Sequence, residues 1–481
     1  MRSQLQRVLR KLRADGAVWW VFVAALSVRL LLLIFLHADD YTSGMAQGEL
    51  ARNLIEGRGF VVNTAFADSV GALQQREQRL VDITEGLVRY HPGDRPNDFR
   101  PFIAYMMPGQ GILLAATYGV FGQYRYIYLQ TIQAVLDSLG AFLIFSIASV
   151  VTSRRGALLA SLLFAVYIPE ARLAISATRD AWMPLIYLSF TFCFIHAWRT
   201  RQLKWFLGGG IVLAFGTYFR SEILLLPLFL SAVLLVFRFP RRVIGTAILA
   251  MIVPALFFLL PWTIRNYRVF HRFIPTNSGL WVAMWQSFGE YENSFGAVNN
   301  DVVTLRQMRA LGHTEEFDSP EYDDLFRERV LNVVTEHPLW VGWTVVRRLA
   351  RIPFQKQSWG IALIDAPPPR RGPYHAGSAD LVQYWRYISE IPERLLAHGF
   401  ARGVSLVLYG SAVWWLIRRR SDWRAALALL SVPVYNILIH VLIGVQARYI
   451  LPTNALLLIP TAVLFLRVLH TKGESDAPSP S

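Results

Sequence analysis

Apolar blocks long enough to cross a bilayer recur along this chain, set apart by short clusters of arginine and lysine. A hydrocarbon core about 30 Å thick admits backbone only where every peptide group is hydrogen-bonded within the protein, and blocks of this length select helices over barrel strands. The candidate spans are Ala17–Leu36, Tyr126–Val151, Ala157–Ile175, Ala181–Trp198, Trp205–Tyr218, Ile223–Phe237, Val243–Trp262, Ala401–Ile417, Ala425–Ile443 and Ile450–Val468. At 54% hydrophobic and 17% charged residues over 481 positions, a soluble fold is excluded. The reading is an all-α polytopic membrane protein with about ten transmembrane helices, within a range of roughly nine to thirteen.

The net charge of +15 would point to nucleic acid in a soluble domain. Here the basic residues punctuate apolar blocks, which fits membrane topology and contact with anionic lipid, so membrane lipid is an expected partner and nucleic acid is not. The positive-inside rule places the N-terminus, Arg154-Arg155, Arg199/Arg201/Lys204, Arg238/Arg241/Arg242, Arg418-Arg419-Arg420 and Lys472 in the cytoplasm, provided that the apolar stretch Phe102–Gly122 does not cross. That stretch carries Met107-Pro108-Gly109-Gln110-Gly111 and is expected to be an interfacial or re-entrant helix.

Two large outer regions follow, His37–Tyr124 and Thr263–Phe400. The expected organisation is an N-terminal membrane module over 1–262 with its outer loop at 37–125, an outer segment over 263–400, C-terminal spans over 401–472 and a polar, disordered tail over 473–481. The run after the basic N-terminus lacks a small-residue cleavage site and is expected to be a retained first helix. Within the second region, Tyr322–Phe354 has helical periodicity, and Arg347, Arg348 and Arg351 make its end a poor span, so a soluble or surface-lying helix is expected. Cys193 is the single cysteine, which excludes an intrachain disulfide and a cysteine-built metal site.

The unusual polar residues gather on the outer face. Asp39 and Asp40 close the first apolar run; Glu170 with Arg172, Arg179 with Asp180, Arg220 with Glu222, Arg265 with Asn266, and Arg448-Tyr449 stand at the ends of other spans. The positive-inside rule accounts for the inner clusters but not for the outer arginines. A guanidinium presents a planar fork of donors suited to phosphate oxygens, and a carboxylate on the same face can serve as a general base. This combination suits a lipid phosphate whose head group enters laterally, against the simpler reading in which each arginine pairs locally, Arg179 with Asp180 and Arg220 with Glu222. Arg29 and Asp137 lie deeper, and mutual neutralisation is the expected reason for both. His91 and His375 fall in outer loops and His440 in a helix, without HExxH or other metal-ligand spacing. No cofactor is required, although a divalent cation could bridge Asp39 or Asp40 to a phosphate. No Walker or GxGxxG sequence opens a helix, which disfavours ATP-driven transport.

With these residues in view, the chain resembles the GT-C glycosyltransferases, in the family 39-like branch of protein O-mannosyltransferases and lipid A aminoarabinose transferases. Asp39-Asp40-Tyr41 is similar to that family's acidic motif after the first helix, and Ala51-Arg52-Asn53-Leu54-Ile55-Glu56-Gly57-Arg58-Gly59-Phe60 to its A-x-N-L-x-x-G-x-G-F segment. Met107-Pro108-Gly109 with Tyr118-Gly119-Val120-Phe121-Gly122 resembles its surface helix, departing from P-P-G-Y-P at Met-Pro-Gly-Gln-Gly. Phe219-Arg220-Ser221-Glu222, Pro261-Trp262-Thr263-Ile264-Arg265-Asn266-Tyr267 and Ala447-Arg448-Tyr449 resemble its R-P-E, P-W-x-x-R-N-Y and x-R-Y motifs. The resemblance implies an enzyme of a bacterial inner membrane with its site facing the periplasm. It would move a sugar, with inversion, from a polyprenyl-phosphate donor to a lipid, glycan or protein acceptor. The first-loop aspartate would be the base, and the spacing leaves Asp39, Asp40 and Glu49 as candidates. Arg179, Arg220, Glu222, Arg265, Arg448 and Tyr449 would contact substrate. Two other classes compete: a transporter or flippase for a lipid-linked saccharide, and a ligase that joins whole glycans.

Overall fold

The computed structural model describes residues 16–35, 41–63, 99–102, 106–176, 178–315, 319–355, 392–418 and 422–475. The expected base residues Asp39 and Asp40 lie outside the described residues, as do His91, His375 and the tail beyond 475.

Helix α1 (Gly16–Phe35) is followed by α2 (Tyr41–Ile55) and by a two-stranded antiparallel ribbon of β1 (Val61–Asn63) and β2 (Phe99–Pro101), with Val62 opposite Arg100. Then come α3 (Gly109–Phe121), α4 (Tyr126–Ser138), α5 (Gly140–Val151), α6 (Arg154–Val166), α7 (Ile168–Ala174), α8 (Met183–Thr200), α9 (Leu203–Thr217), α10 (Leu226–Val236) and α11 (Arg241–Phe270). Short 3-10 turns at Arg179–Trp182 and Ser221–Leu225 introduce α8 and α10. The second outer region folds as α12 (Leu280–Phe288), α13 (Asp301–Ala310), α14 (Pro320–Glu336) and α15 (Pro338–Arg351) with a 3-10 turn at Ile352–Phe354. The chain ends in α16 (Pro392–Arg418), α17 (Trp423–Ile443), α18 (Ala447–Ile450), a 3-10 turn at Leu451–Thr453 and α19 (Asn454–Ser475). The described chain is helical but for the one ribbon, as the hydropathy pattern requires.

Each expected span falls on a helix or a bent pair of helices. Among the described residues, seven helical segments are long and apolar enough to cross a membrane, or eight if α6 and α7, bent by 60°, form one span. The segments expected at Trp205–Tyr218 and Ile223–Phe237 are shorter apolar helices. Short length is compensated by close packing in α9: a Cβ on Gly210 would stand 2.3 Å from the Ala250 carbonyl oxygen, so only glycine lets α9 lie against α11 this tightly. The segment expected not to cross forms α3, whose 13 residues rise only about 20 Å. It packs along α2 rather than through the bundle.

One large apolar core joins the membrane helices, and Arg29 is buried within it. Its Nε donates to Asp137 Oδ2 at 2.5 Å, and Nη1 donates to the Ala25 carbonyl at 3.2 Å. The expected pairing of these two deep residues is therefore present. Glu170 is buried in electrostatic reach of both, and neither of its carboxylate oxygens has a hydrogen-bond partner among the described residues.

A second core sits in the outer region, where Phe326, Val330 and Val333 of α14 pack against Val282, Trp285 and Phe288 of α12. Asp323 joins these two helices by accepting from the Val282 N–H at 2.9 Å, and burial raises its carboxyl above the ordinary value. The surface-lying helix expected in Tyr322–Phe354 is two helices, α14 and α15, broken where His337-Pro338 cannot continue the hydrogen-bond ladder.

Candidate active site at the ends of the spans

Four separate segments converge on the guanidinium of Arg220. The residue itself is extended, with φ −143° and ψ 115°, and precedes the 3-10 turn that starts α10, so its side chain is free to turn across the helix ends. Nη1 donates to Asp180 Oδ1 at 2.5 Å, Nε donates to Glu222 Oε1, and Nη2 lies 3.3 Å from His440 Nε2. The Tyr449 ring covers the guanidinium at 4.4 Å. With its side chain 11% exposed, Arg220 is held by acids on two sides and an aromatic face on a third.

The partners are themselves fixed. Asp180 stands in the turn Arg179–Trp182 and is buried. Tyr435 donates to the Glu222 backbone carbonyl, tying α17 to the start of α10. Asn436 links three groups: its Oδ1 accepts from the Tyr187 hydroxyl at 3.1 Å, its Nδ2 donates to the Tyr449 carbonyl at 2.9 Å, and its own carbonyl lies 2.7 Å from His440 Nδ1. The last contact sets the tautomer. A carbonyl only accepts, so Nδ1 carries the hydrogen of that contact and Nε2 faces Arg220. The His440 ring also stacks on Tyr449 at 5.2 Å, and its Nε2 is 3.6 Å from Glu222.

Arg448 is disposed differently. Its side chain is 55% exposed, its Nε is 4.0 Å from Asp180 Oδ2, and one Nη donates to the Tyr449 hydroxyl at 3.2 Å. Among the described residues Arg448 makes no hydrogen bond to a carboxylate, beside a cluster whose other arginine is bound to two. A half-exposed arginine next to a fixed charge network is arranged to meet an anion.

The first turn of α3 packs against the turns that carry these residues. The Gly109 N–H donates to the Tyr218 carbonyl at 2.8 Å, two residues before Arg220. Gln110 Oε1 accepts from Trp182 Nε1 at 2.8 Å, two residues after Asp180. Gln47 of α2 accepts from the Gly111 N–H at 2.8 Å and donates to the Met107 carbonyl at 3.1 Å. Met-Pro-Gly-Gln-Gly is thus a packing junction that reaches both acid- and arginine-bearing turns.

Of the expected contact residues, Arg220, Glu222, Arg448 and Tyr449 come together. Arg179 is half-buried and forms no ion pair among the described residues; its neighbour Asp180 is the residue that enters the cluster. Arg265 is bound elsewhere: Nη2 donates to the Phe60 and Phe102 carbonyls at 3.1 and 2.8 Å, and Nη1 to Asn266 Oδ1 at 3.0 Å, so it pins the β1/β2 ribbon to α11. Glu49 accepts from Asn53 Nδ2 at 3.2 Å on α2. Asp180, His440 and Asn436 were not singled out by the sequence as site residues. The available signal was the pairing of Asp180 with Arg179 on the outer face, and the placement of His440 at the outer end of its span. Among the described residues no group of three or more His, Cys, Asp or Glu is placed to hold a metal ion; the divalent cation considered above would need Asp39 or Asp40.

Residues 106–264, about a third of the chain, match the family described as dolichyl-phosphate-mannose-protein mannosyltransferase. The matched stretch includes Asp180, Arg220 and Glu222. No curated protein matches the chain. Among solved structures, the oligosaccharyltransferase AglB of Archaeoglobus fulgidus, in complex with an inhibitory peptide and a dolichol-phosphate, superposes with a TM-score of 0.51 at 12% identity, over 98% of this chain and 53% of that one. The apo form of the Archaeoglobus fulgidus oligosaccharyltransferase gives 0.51 at 14% identity, over 96% and 52%. This chain thus spans about half the length of these proteins, and at such identity the likeness is one of fold. The resemblance noted in the sequence is thus supported by a family match over about a third of the chain and by a fold shared with these oligosaccharyltransferases.

Proposed function

We propose that this protein is a membrane glycosyltransferase that moves a sugar from a polyprenyl-phosphate-linked donor to a glycan, lipid or protein acceptor at the periplasmic face of a bacterial inner membrane. The observation that carries this reading is the contrast between Arg220, locked between Asp180 and Glu222, and Arg448, half-exposed beside it.

In the reaction, the acceptor hydroxyl attacks the anomeric carbon while the bond from that carbon to the phosphate oxygen breaks. The electron pair leaves with the lipid phosphate, and the hydroxyl proton passes to a carboxylate. Asp39 or Asp40 is the base in this scheme, on the resemblance alone. Arg448 neutralises the leaving phosphate, with Arg179 on the turn that carries Asp180, and one well-placed donor to developing charge is worth about 3–4 kcal/mol. Arg220 is a positioning residue. It fixes Asp180 and Tyr449, which aim Arg448 through its contacts with both. Attack from the face opposite the leaving phosphate inverts the anomeric centre.

A flippase or transporter would find its best support in charges near the midplane, where transporter sites sit. Arg29 and Asp137 pair with each other in the core, which supplies a structural reason for both. The test is mass spectrometry of envelope glycolipids and glycans from a deletion strain complemented with wild type or with the Asp39→Asn/Asp40→Asn double variant. Loss of one glycosylated product, unrestored by the double variant, is the expected result. Full restoration by the double variant would sink the assignment of the base.

A further inference from the structure

Helix α15 presents two faces of opposite character. Arg348 is 1% exposed, with Nε at 3.1 Å from Glu290 Oε2 and Nη1 donating to the Val441 carbonyl at 3.0 Å. Thr344, one turn earlier on the same side, is buried too. At about 100° per residue, Leu339, Trp343, Val346 and Ala350 fall on the opposite side. All four are exposed, Leu339 by 88% and Trp343 by 53%, and Phe354 continues the stripe past the helix end. Arg347 and Arg351 line one flank. Both stack on the Tyr291 ring, at 5.3 and 5.8 Å, and neither is paired with a carboxylate among the described residues.

The depth of this helix is fixed by its buried face. Val441 is two residues before the end of α17, one of the seven helices able to span the membrane. Leu438 and Leu442 on that helix are exposed, as side chains facing acyl chains must be. Ile352 and Val345 pack with Val441, Val445 and Ile450 in one apolar cluster, so α15 lies across the end of the span. Its exposed stripe lies on the side of α15 away from α17, next to the end of that span, with Arg347, Arg351 and Tyr291 on its flank.

We propose that α15 docks on the bilayer surface, with Leu339, Trp343, Val346 and Phe354 in the acyl–headgroup boundary and Arg347 and Arg351 on anionic headgroups. An amphipathic helix with an aromatic-containing apolar face and a basic flank has the composition for this position, and each arginine near an anionic surface adds roughly fivefold to the affinity for it. The Arg348–Glu290 pair carries that anchorage inward: Glu290 Oε1 accepts from the Val445 N–H at 3.3 Å, in the turn between His440 and Arg448.

The experiment uses the full chain in nanodiscs, with Cys193→Ala and Trp343→Cys carrying an environment-sensitive fluorophore; Leu339→Cys is the parallel variant should Trp343→Cys misfold. Phosphatidylcholine or phosphatidylglycerol with brominated acyl chains is the quencher. Quenching by both lipids is expected, stronger with phosphatidylglycerol, and the Arg347→Gln/Arg351→Gln pair should abolish the difference. Unquenched emission typical of water would overturn the proposal, as would protection that depends on protein concentration, which would make the occupant a second copy. Equal quenching by the two lipids without the arginine substitutions would overturn the anionic assignment. The readout needs no glycosyl transfer, so its failure is distinct from failure of the proposed activity.

Discussion

Arg220 and Asp180 lie forty residues apart in sequence and meet at 2.5 Å, each at the threshold of a different apolar helix. A charged pair this enclosed is stable only as a pair. Removal of Asp180 leaves Arg220 paired with Glu222 alone, so the loss is expected to fall below the ~3–5 kcal/mol that a fully stranded buried partner costs. Asp180→Ala is therefore expected to lower both folded yield and activity. Asp180→Asn keeps an acceptor for Arg220 and should retain the fold while weakening transfer. Detergent thermal melts read the stability, and product formation reads the second effect.

Arg448 is predicted to separate the two readouts. Its side chain is half in solvent, so Arg448→Ala should change stability by no more than about 1 kcal/mol. Loss of a donor to the leaving phosphate is expected to lower turnover by about 10²–10³. Arg448→Lys should restore little, because an ammonium lacks the planar fork.

At Gly109 the prediction concerns shape. A Cβ there would stand 2.5 Å from the Tyr218 carbonyl oxygen, a backbone atom that cannot swing aside. Gly109→Ala should push α3 off the turn that carries Arg220, with a stability loss of about 1–3 kcal/mol. A thermal melt together with a trypsin-protection assay of residues around α3 checks this.

Arg29 and Asp137 yield a prediction with two arms. Asp137→Asn leaves the Arg29 charge buried without its counter-ion and should destabilise by about 3–5 kcal/mol, whereas Arg29→Met with Asp137→Leu should recover most of that loss. Failure of the double variant to recover would give the pair a role besides neutrality. Comparison of melting temperatures for the two variants decides.

Asp323 supplies a pH dependence. Burial raises its folded pKa above the ordinary 3.8, so the folded state holds its proton longer than the unfolded one. Stability of the α12–α14 contact accordingly falls as pH rises through the interval from 3.8 to the raised value, and is level above it. Proteolysis of the outer region across acid pH should show this slope in wild type and lose it in Asp323→Asn.

The membrane helices were legible because a spanning segment must be continuously apolar, and the basic clusters then fix which ends share a face. The same reasoning placed α3 outside the crossing set and paired Arg29 with Asp137. It could not tell α9 and α10 from full-length spans, because the hydropathy pattern does not record where the 3-10 turn before α10 breaks the helix or how Gly210 lets α9 lie against α11. At the site, sidedness named Arg220, Glu222, Arg448 and Tyr449. It could not choose between Arg179 and Asp180, since adjacent residues on a 3-10 turn point to different surroundings. Arg265 stands apart from the cluster for a related reason: the carbonyls of Phe60 and Phe102 hold it, and such acceptors leave no trace in side-chain patterns. His440 and Asn436 were hidden because each looks like an isolated polar residue until α17 packs against the turn before α10.

The central claim is that this site separates a sugar from a polyprenyl phosphate. Its most direct test is mass-spectrometric measurement of free polyprenyl phosphate released when the purified full chain, in nanodiscs, is given lipid-linked saccharides extracted from its own membrane together with an acceptor fraction. Release by wild type and its loss in Arg448→Ala are predicted. Release that is equal in Arg448→Ala, or intact lipid-linked saccharide that only changes leaflet, would contradict the account.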